Sequence, residues 1–451
     1  MVPRGLNLSP FLALIFLVCF VEQAAALRQP SVAINASIDL DFLPWTYHIP
    51  NKVQNRTSHA RFDIQTPSKT LDPETLLSLD EPQIDVVNAS VFDWWYFDVV
   101  SDVDPGDSLV VTFFTSSALA FPFLSTNESS VLIAYLWASF ANGTVFADFI
   151  PATMATVVGG TSNVSSTGQW ASTGFSWASQ RSNLSQYEIT ISSKEMQVEG
   201  RFTLTSVGDE NACTLYRYRS SIDATRQRAP LHLPCGIQEG TTTLQVAPHM
   251  GWANLVPDAT GIVDLTIHGS LLRFQGPGYH DKNWSDRPFM ESVQSWYWGH
   301  GRLGPYSLVW FSYLALNDPT NTTYVSSYVA KDGQAIVSSC NTSLLAVHPV
   351  GTAGTTGGRY PPHVGDVPEG FRLQFDLGTE GLLKVNVSAG TVVAGDGEFY
   401  MRWTGNMTGN IAKSESPLQD ACAAGGTKTT PISQPSLLAG VAAFEQFALV
   451  E

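Results

Sequence analysis

The most informative stretch of the chain reads Gly276-Pro-Gly-Tyr-His-Asp-Lys-Asn-Trp284, and Ser295-Trp-Tyr-Trp-Gly-His-Gly-Arg302 follows closely. The 27 residues from Gly276 to Arg302 include three tryptophans, two histidines, two arginines, two aspartates and four glycines. Glycine allows tight turns and close approach of the backbone, so polar side chains can be held in a confined aromatic setting. This combination is typical of a pocket for a small molecule.

The second stretch predicts a strand with two different faces. Successive side chains of a strand point to opposite sides, so Trp296, Trp298, His300 and Arg302 share one face, and Tyr297 lies on the other. Burying charge in a dry core is costly, which favours a ligand-facing interior for the first face. An equally good reading places the tryptophans in a core and leaves His300 and Arg302 at a wet strand end.

His280 and Asp281 are adjacent, so they do not share a strand face. A histidine can act as a general acid or base near neutral pH, or donate a hydrogen bond to a substrate carbonyl. The same Tyr-His-Asp-x-Asn-Trp run could instead join two domains through bonds from side chains to the backbone.

The motif Gly-x-Gly-Tyr-His-Asp-x-Asn-Trp, with the later Trp-x-Trp-Gly strand, resembles the signature of the hydroxyneurosporene synthase and AttH superfamily. The run Phe92-Asp-Trp-Trp-Tyr-Phe-Asp98 resembles its other hallmark. The resemblance implies an all-β fold with few helices and two lipocalin-like domains, β-barrels or β-sandwiches, in tandem. Bacterial relatives tend to have histidine and glycine where this chain has Lys282 and Ser285, a departure that weighs against hydratase chemistry.

A length of 451 residues also favours two domains. The predicted organisation is a signal peptide at 1–26, an N-terminal extension at 27–84, lipocalin-like β domains at 85–240 and 241–430, and a tail at 431–451. Leu437, Leu438, Val441, Phe444 and Ala448 recur near one helical face, so the tail is predicted to be helical. Glycine and proline at 351–370 predict a long loop, and we expect this loop to lie over a pocket mouth.

Short strand-like runs fill the two predicted β domains. Asn142-Gly143 between two such runs predicts a hairpin. A repeated pattern predicts two more, because Trp95-Tyr-Phe97 precedes Ser108-Leu-Val-Val111 as Trp296-Tyr-Trp298 precedes Ser307-Leu-Val-Trp310. Trp94 and Trp95 must face opposite ways, so at most one of them lines a given cavity.

The N-terminus predicts entry into the secretory pathway, with a final location outside the cell or in a vesicle or vacuole. Arg4, an apolar run at 11–21 and Ala24-Ala-Ala26 have the order of a cleavable signal, and the run is too short to span a bilayer. Twelve Asn-x-Ser/Thr sites follow, and Asn283 is excluded because a glycan would block its burial. The predicted glycosylation sites are Asn35, Asn55, Asn88, Asn127, Asn142, Asn163, Asn183, Asn321, Asn341, Asn386 and Asn406.

Four cysteines remain after cleavage of the signal, and an even number in an oxidising compartment favours two disulfides. Proximity in sequence predicts that Cys213 pairs with Cys235 and Cys340 with Cys422. Two other pairings are open.

Several classes of protein are excluded. A net charge of −16 without a basic stripe argues against binding nucleic acid. Histidine and cysteine spacings predict no metal site, and neither a Gly-x-Ser-x-Gly elbow nor a P-loop occurs. We therefore expect no cofactor, no stable membrane insertion and a hydrophobic small molecule as the partner, and the oligomeric state is left open.

The resemblance implies a fungal pericyclase that catalyses a Diels–Alder or hetero-Diels–Alder reaction on a polyketide- or terpenoid-derived substrate. The predicted catalytic groups are His280, Asp281, His300 and Arg302. The predicted cavity walls are Trp95, Tyr96, Trp284, Trp296, Trp298 and Trp310. Two alternatives keep the same fold: a hydratase, isomerase or hydrolase-like enzyme with His280 and Asp281 as acid and base, and a non-catalytic carrier of a hydrophobic metabolite.

Overall fold

A computed structural model describes residues 44–69, 71–124, 130–160, 165–181, 183–208, 231–352, 355–412 and 437–450. The predicted signal peptide, Cys213, Cys422, Asn35, Asn127 and Asn163 lie outside these residues. The described residues form one compact unit.

The described residues fold almost entirely into antiparallel strands. The strands are β1 (Trp45–Pro50), β2 (Asp63–Thr66), β3 (Phe92–Val100), β4 (Ser108–Ser116), β5 (Leu132–Ser139), β6 (Val145–Pro151), β7 (Met154–Gly159), β8 (Ser166–Trp170), β9 (Phe175–Ser179), β10 (Gln186–Ser193), β11 (Val198–Ser206), β12 (Gly240–Thr243), β13 (Gln245–Ala247), β14 (Met250–Ile267), β15 (Ser270–Ser285), β16 (Val293–Leu303), β17 (Tyr306–Ala315), β18 (Thr323–Lys331), β19 (Gln334–Ser339), β20 (Leu345–Val350), β21 (Gly370–Asp376), β22 (Leu382–Gly395), β23 (Tyr400–Ala412) and β24 (Leu438–Ala448). The helices are α1 (Pro73–Ser78) and α2 (Phe289–Ser292), and Gly378–Glu380 forms a 3₁₀ turn.

Two large sheets organise these strands. The first has the order β1-β7-β8-β9-β10-β11-β14-β15-β3-β4-β5-β6, with β13 beside β14. The second has the order β19-β18-β17-β16-β24-β23-β22-β21-β20, and β12 pairs with β2 in a small third sheet. The all-β, lipocalin-like fold class that the sequence predicts is confirmed.

The division between the sheets differs from the division that the sequence suggests. The sequence predicts that the second domain begins at residue 241, but β14 and β15 pair with β11 and β3 of the first sheet. The second sheet begins with β16, after the short helix α2. Along the chain, the Gly276–Trp284 motif is therefore part of the last strand of the first sheet, and Trp296–Trp298 is part of the first strand of the second sheet.

From Gly276 onward strand β15 is buried on both faces, and its alternation divides the motif between two environments. His280, Lys282 and Trp284 point into the core of the first sheet, where His280 stacks on Phe97 with ring centroids 4.0 Å apart. Asp281 and Asn283 point to the opposite side, into a cavity between the two sheets. Adjacent residues of one motif thus serve different sites.

The first-sheet core contains a buried ion pair. Lys282 Nζ donates to Asp93 at 3.1 Å and to the Glu81 carbonyl, and it lies 3.6 Å from the centre of the Trp95 ring. Burial lowers the pKa of Lys282 to about 8, an effect that Asp93 and Asp80 oppose. The ammonium is therefore still the main form at neutral pH, and Lys282 joins β15 to β3 and to the segment after α1.

The three hairpins that the sequence predicts are present in the structure. Phe140 and Thr144 close the turn at Asn142-Gly143, which joins β5 to β6. The two Trp-rich runs form the hairpins β3–β4 and β16–β17.

The helical prediction for the C-terminal tail is wrong, because Leu438–Ala448 is strand β24 between β16 and β23. Both faces of this strand are buried from Val441 onward, so its sequence lacks the polar–apolar alternation of a half-exposed strand.

The predicted disulfide pairing is also wrong. Cys235 is bonded to Cys340, which attaches the segment before β12 to the end of β19. Beside this bond, the buried ring of His232 contacts Ser338 and Ser326 at 2.7 and 2.9 Å. Proximity in sequence is a poor guide here, because His232 binds serines on two adjacent strands. These contacts hold the segment that contains Cys235 beside Cys340, 105 residues later in the chain.

Replacing both cysteines, Cys235→Ser with Cys340→Ser, is expected to lower the free energy of unfolding by about 2–5 kcal/mol. The bond closes a loop of 105 residues, and its loss frees that loop in the unfolded chain. Urea unfolding followed by tryptophan fluorescence measures the change. An unchanged midpoint would show that the contacts of His232 hold this segment without the disulfide.

Candidate active site

The two sheets enclose a cavity of about 610 Å³. Its walls come from β3, β4, β5 and β6 and from Asp281 and Asn283 of β15 in the first sheet, and from β16, β17, β22, β23 and β24 in the second. The segment Phe121–Leu124 and the residues Val392–Asp396, at the end of β22, also line the cavity. The aromatic lining residues are Trp94, Tyr96, Phe114, Phe121, Phe123, Tyr135, Trp137, Trp296, Trp298, Phe311, Tyr400 and Phe447.

Strand register brings the polar groups of the cavity together. In the first sheet Asp281 is paired with Tyr96, and Asn283 with Trp94. In the second sheet Glu445 lies between Trp298 on β16 and Arg402 on β23. Carboxylates from both sheets therefore meet inside one aromatic chamber.

Asp281 is the carboxyl group that β15 contributes to the cavity. Its Oδ2 accepts hydrogen bonds from Trp252 Nε1 at 2.7 Å and from the Tyr279 hydroxyl at 2.8 Å. Its Oδ1 accepts one from Asn283 Nδ2 at 2.9 Å. Burial raises the pKa of Asp281 to about 7, since the stabilising donors only partly offset desolvation and the nearby negative charge of Glu445 and Asp98. A substantial fraction of this carboxyl is therefore protonated at neutral pH.

Arg402 and Glu445 form the second polar feature of the cavity. Arg402 Nη2 lies 2.5 Å from Glu445 Oε2, which also accepts the Tyr400 hydroxyl at 2.9 Å. Trp296 Nε1 donates to the other oxygen of Glu445 at 3.0 Å. Burial opposes the charge of Arg402, but Glu445, Tyr400, Tyr96 and Asp98 together more than compensate and raise the pKa of the guanidinium well above its usual value. This end of the cavity thus presents a permanent cation.

Tyr96 connects Arg402 to a further pair behind the wall. Its hydroxyl accepts from Arg402 Nη1 and donates to Asp98 at 2.5 Å. His300 Nε2 lies 2.8 and 3.0 Å from the two oxygens of Asp98. Burial and the neighbouring carboxylates raise the pKa of Tyr96 well above its usual value, so the phenol stays protonated. The arrangement fixes the hydroxyl of Tyr96 as part of a continuous buried network.

The sequence profile of the Diels-Alderase-like family matches residues 61–365, more than half of the chain. The chain belongs to this family. The quinolone epoxide rearrangement protein asqO of Emericella nidulans is 33% identical over 75% of this chain and 84% of its own length. The corresponding protein penF of Penicillium thymicola is 30% identical over 75% of this chain and 85% of its own.

More distant similarities agree with this membership. Diels-Alderase pyiF of Pyricularia grisea is 25% identical over 66% of this chain and 64% of its own length. The crystal structure of CghA with Sch210972 superposes with a TM-score of 0.62 at 14% identity, covering 90% of this chain and 99% of that one. At that identity the structural match supports the fold alone.

Four of the residues predicted for the site of this Diels-Alderase-like protein do line the cavity: Tyr96, Asp281, Trp296 and Trp298. Trp94 takes the place predicted for Trp95, because Trp94 shares the face of Tyr96. The alternation of β16 is confirmed too, since Tyr297 packs into a separate core of the second sheet. Asn283 is buried and bonded to Asp281, which agrees with its exclusion as a glycan acceptor.

Six predicted residues do not line this cavity. Trp95 and Trp284 pack in the first-sheet core, and Trp310 packs in the second-sheet core. His280 lies in the first-sheet core, where Nδ1 donates to the carbonyl of Tyr96 at 2.8 Å.

His300 is fully buried behind Tyr279, with ring centroids 4.6 Å apart. Arg302 lies beyond it and pairs with Asp258 at 2.6 Å. The side chain of Arg302 is about a third exposed. It therefore lies at a solvent-accessible strand end, as the second reading of the sequence proposed for this residue. No described residue of 351–370 lines the cavity, and the backbone amide of Val364 is hydrogen-bonded to the carbonyl of Val450.

Sequence reasoning missed Arg402, Tyr400 and Glu445. A usable signal was Glu445 itself, a charged residue inside an otherwise apolar segment that proves to be a buried strand.

Within the described ranges no group of three or more histidine, cysteine or acidic side chains could hold a metal ion. In that part of the chain no helix is both long and apolar enough to cross a membrane.

Proposed function

We propose that this protein is an enzyme of the cyclase or isomerase type that closes or rearranges a ring in a hydrophobic natural product. Asp281 is the proton donor to a substrate oxygen. The observation that carries this proposal is a buried carboxyl in an aromatic cavity, with its pKa raised to about 7. A carboxylic acid with a pKa near the working pH is an effective general acid.

The named relatives support acid assistance. The proteins asqO and penF are both named for the rearrangement of a quinolone epoxide. Opening an epoxide develops negative charge on its oxygen, and a nearby proton donor neutralises this charge in the transition state. Asp281 lines the aromatic chamber, whose volume is typical of small-molecule sites, and in this proposal it donates that proton to the bound ligand.

Arg402 and Tyr96 give the ligand a second polar anchor. Glu445 and Asp98 hold the guanidinium and the phenol in fixed directions before any substrate arrives. Preorganised donors stabilise developing charge without reorganising, which is a major source of catalysis. A substrate with two oxygens on either side of an apolar body fits this arrangement, one oxygen at Asp281 and the other at Arg402.

A Diels–Alder or hetero-Diels–Alder cycloaddition is the second candidate. The aromatic walls favour it, because such a cavity can fold a polyene into a reactive conformer while Arg402 and Tyr96 polarise a carbonyl. The relative pyiF is named a Diels-Alderase. A cycloaddition needs no proton transfer, so Asp281 is dispensable in this version.

Two alternatives are less well supported by the geometry. His280 and Asp281 point to opposite faces of β15, so they are not positioned as an acid–base pair for one substrate. A carrier without activity would fill the same cavity, but it would return its ligand unchanged.

The pH dependence of turnover tests the proposal. With an epoxide-bearing aromatic substrate, the rate is expected to be constant at low pH and to fall as pH rises through about 7, because the acid form of Asp281 is lost there. Chromatography of the products over a series of buffers measures this rate. A flat profile with a polyene substrate and ring formation would favour cycloaddition, and recovery of unchanged ligand in every case would favour a carrier.

We also propose that the protein matures in the secretory pathway and carries N-linked glycans. The eight predicted acceptor sites that the structure describes are exposed or half-exposed, whereas Asn283 is only 7% exposed. Mass spectrometry of glycopeptides from the protein made in a fungal host is expected to find sugar at several of these sites and none at Asn283. A glycan at Asn283 would contradict the buried position of its amide.

A further inference from the structure

We infer that Trp252 and Tyr279, which lie outside the cavity, act as positioning residues that place the acidic proton of Asp281 on Oδ1, the oxygen that faces the substrate. The inference rests on the proposed role of Asp281 as the acid. It concerns which of two chemically equivalent oxygens carries the proton, and therefore whether that proton can reach a ligand.

The Oδ2 atom of Asp281 has no vacant position for a proton. It accepts from Trp252 Nε1 at 2.7 Å and from the Tyr279 hydroxyl at 2.8 Å, which occupies both lone-pair directions of a carboxylate oxygen. An indole N–H can only donate, so Trp252 forces Oδ2 to remain an acceptor in every protonation state.

Tyr279 is the partner that could reverse, because a phenol can accept as well as donate. Trp298 Nε1 points at the same hydroxyl oxygen from 3.4 Å and fills part of its accepting capacity. The hydroxyl is thereby favoured as a donor to Asp281. Burial and the charge of Asp281 raise the pKa of Tyr279 well above its usual value, so this donor keeps its proton.

Among the described residues the Oδ1 atom has one hydrogen-bond partner, Asn283 Nδ2 at 2.9 Å. Asn283 and Asp281 line the cavity, whereas Trp252 and Tyr279 do not. The locations of these partners indicate that Oδ2 faces the protein and Oδ1 faces the ligand. One lone-pair direction of Oδ1 is left for a proton, and the structure thus aims it into the chamber.

The surrounding charges change the pKa of the Asp281 carboxyl as a whole and do not determine which of its two oxygens carries the proton. Glu445 and Asp98 disfavour the carboxylate form of Asp281, and they are in turn bonded to Arg402 and His300. Trp252 and Tyr279 therefore determine the position of the proton, while the charges influence how strongly it is held.

The variant Trp252→Phe tests the inference. The ring keeps its stacking place beside Phe311, but Oδ2 gains a free lone pair that can take the proton. We expect turnover at low pH to fall about tenfold or more, and the pH at which the rate declines to rise by about one unit, because a donor that favoured the charged form is gone. The carboxyl C=O stretch of Asp281, assigned by infrared difference against Asp281→Asn, is expected to shift as its hydrogen bonding changes.

Trp284→Phe is the matched control. It removes an indole N–H that is bonded to the Arg61 carbonyl at 2.8 Å, in the first-sheet core and away from the cavity. This variant is expected to retain the pH profile and the infrared band of the native protein. Tyr279→Phe provides a second test if Trp252→Phe does not fold, and the same upward movement of the pH profile is expected.

The outcomes separate this inference from the proposed function. Full activity in Asp281→Asn would reject Asp281 as the acid, and the infrared titration would still report where its proton lies. If Asp281→Asn is inactive but Trp252→Phe and Tyr279→Phe keep the native pH profile and C=O band, the acid role stands and the positioning role is rejected.

Discussion

Asp281→Asn is expected to lower turnover by about 10²- to 10⁴-fold while leaving the fold intact. Its amide oxygen can still accept from Trp252 and Tyr279. Rotation of the Asn283 amide can present an oxygen to the new NH₂ group. What the amide cannot do is release a proton near neutral pH. Single-turnover rates, with thermal unfolding on the same sample, separate loss of chemistry from loss of structure.

Asp286→Asn is the matched control for this variant. Asp286 lies five residues later and pairs with His249 at 2.9 Å, with a third of its side chain exposed. The same chemical change there is expected to leave turnover at the native level. Equal losses in both variants would show that the effect of Asp281→Asn is not specific to the cavity.

Lys282→Met is expected to cost about 3–5 kcal/mol of folding free energy, the largest effect on stability that we predict. The substitution removes the buried ammonium and leaves the Asp93 carboxylate without its ion-pair partner in the first-sheet core. The contact with the face of Trp95 is also lost. Urea unfolding at neutral pH measures the change.

A second substitution should recover part of that loss. Asp93→Asn in the Lys282→Met background removes the uncompensated charge. Its side-chain oxygen can still accept from the backbone N–H of Gln83, which in the native protein donates to Asp93 at 2.7 Å. The double variant is therefore expected to be more stable than Lys282→Met alone, while Lys384→Met on the exposed face of β22 should change stability by less than about 0.5 kcal/mol. If Lys282→Met unfolds at the same urea concentration as the native protein, the ion pair does not stabilise the fold.

Local alternation predicted part of the site. It grouped Trp296 with Trp298 and separated Trp94 from Trp95, because the period of a strand is a property of the backbone and needs no tertiary information. The same rule placed Arg302 on the cavity face of β16 but could not say where the cavity ends. The chamber stops before His300, where Tyr279 and Asp98 of the first sheet close it.

The sequence by itself determined the all-β class, the family motif and three of the hairpins, since each depends on residues that are near one another along the chain. Only the tertiary structure decided that Asp281 and Arg402 share a chamber and that Cys235 bonds to Cys340. These contacts depend on which strands become neighbours and in which register. β24 enters between β16 and β23, and this places Glu445 beside Arg402. Burial on both faces hid that strand in the sequence, because a segment surrounded by protein has no solvent-facing side to mark its period.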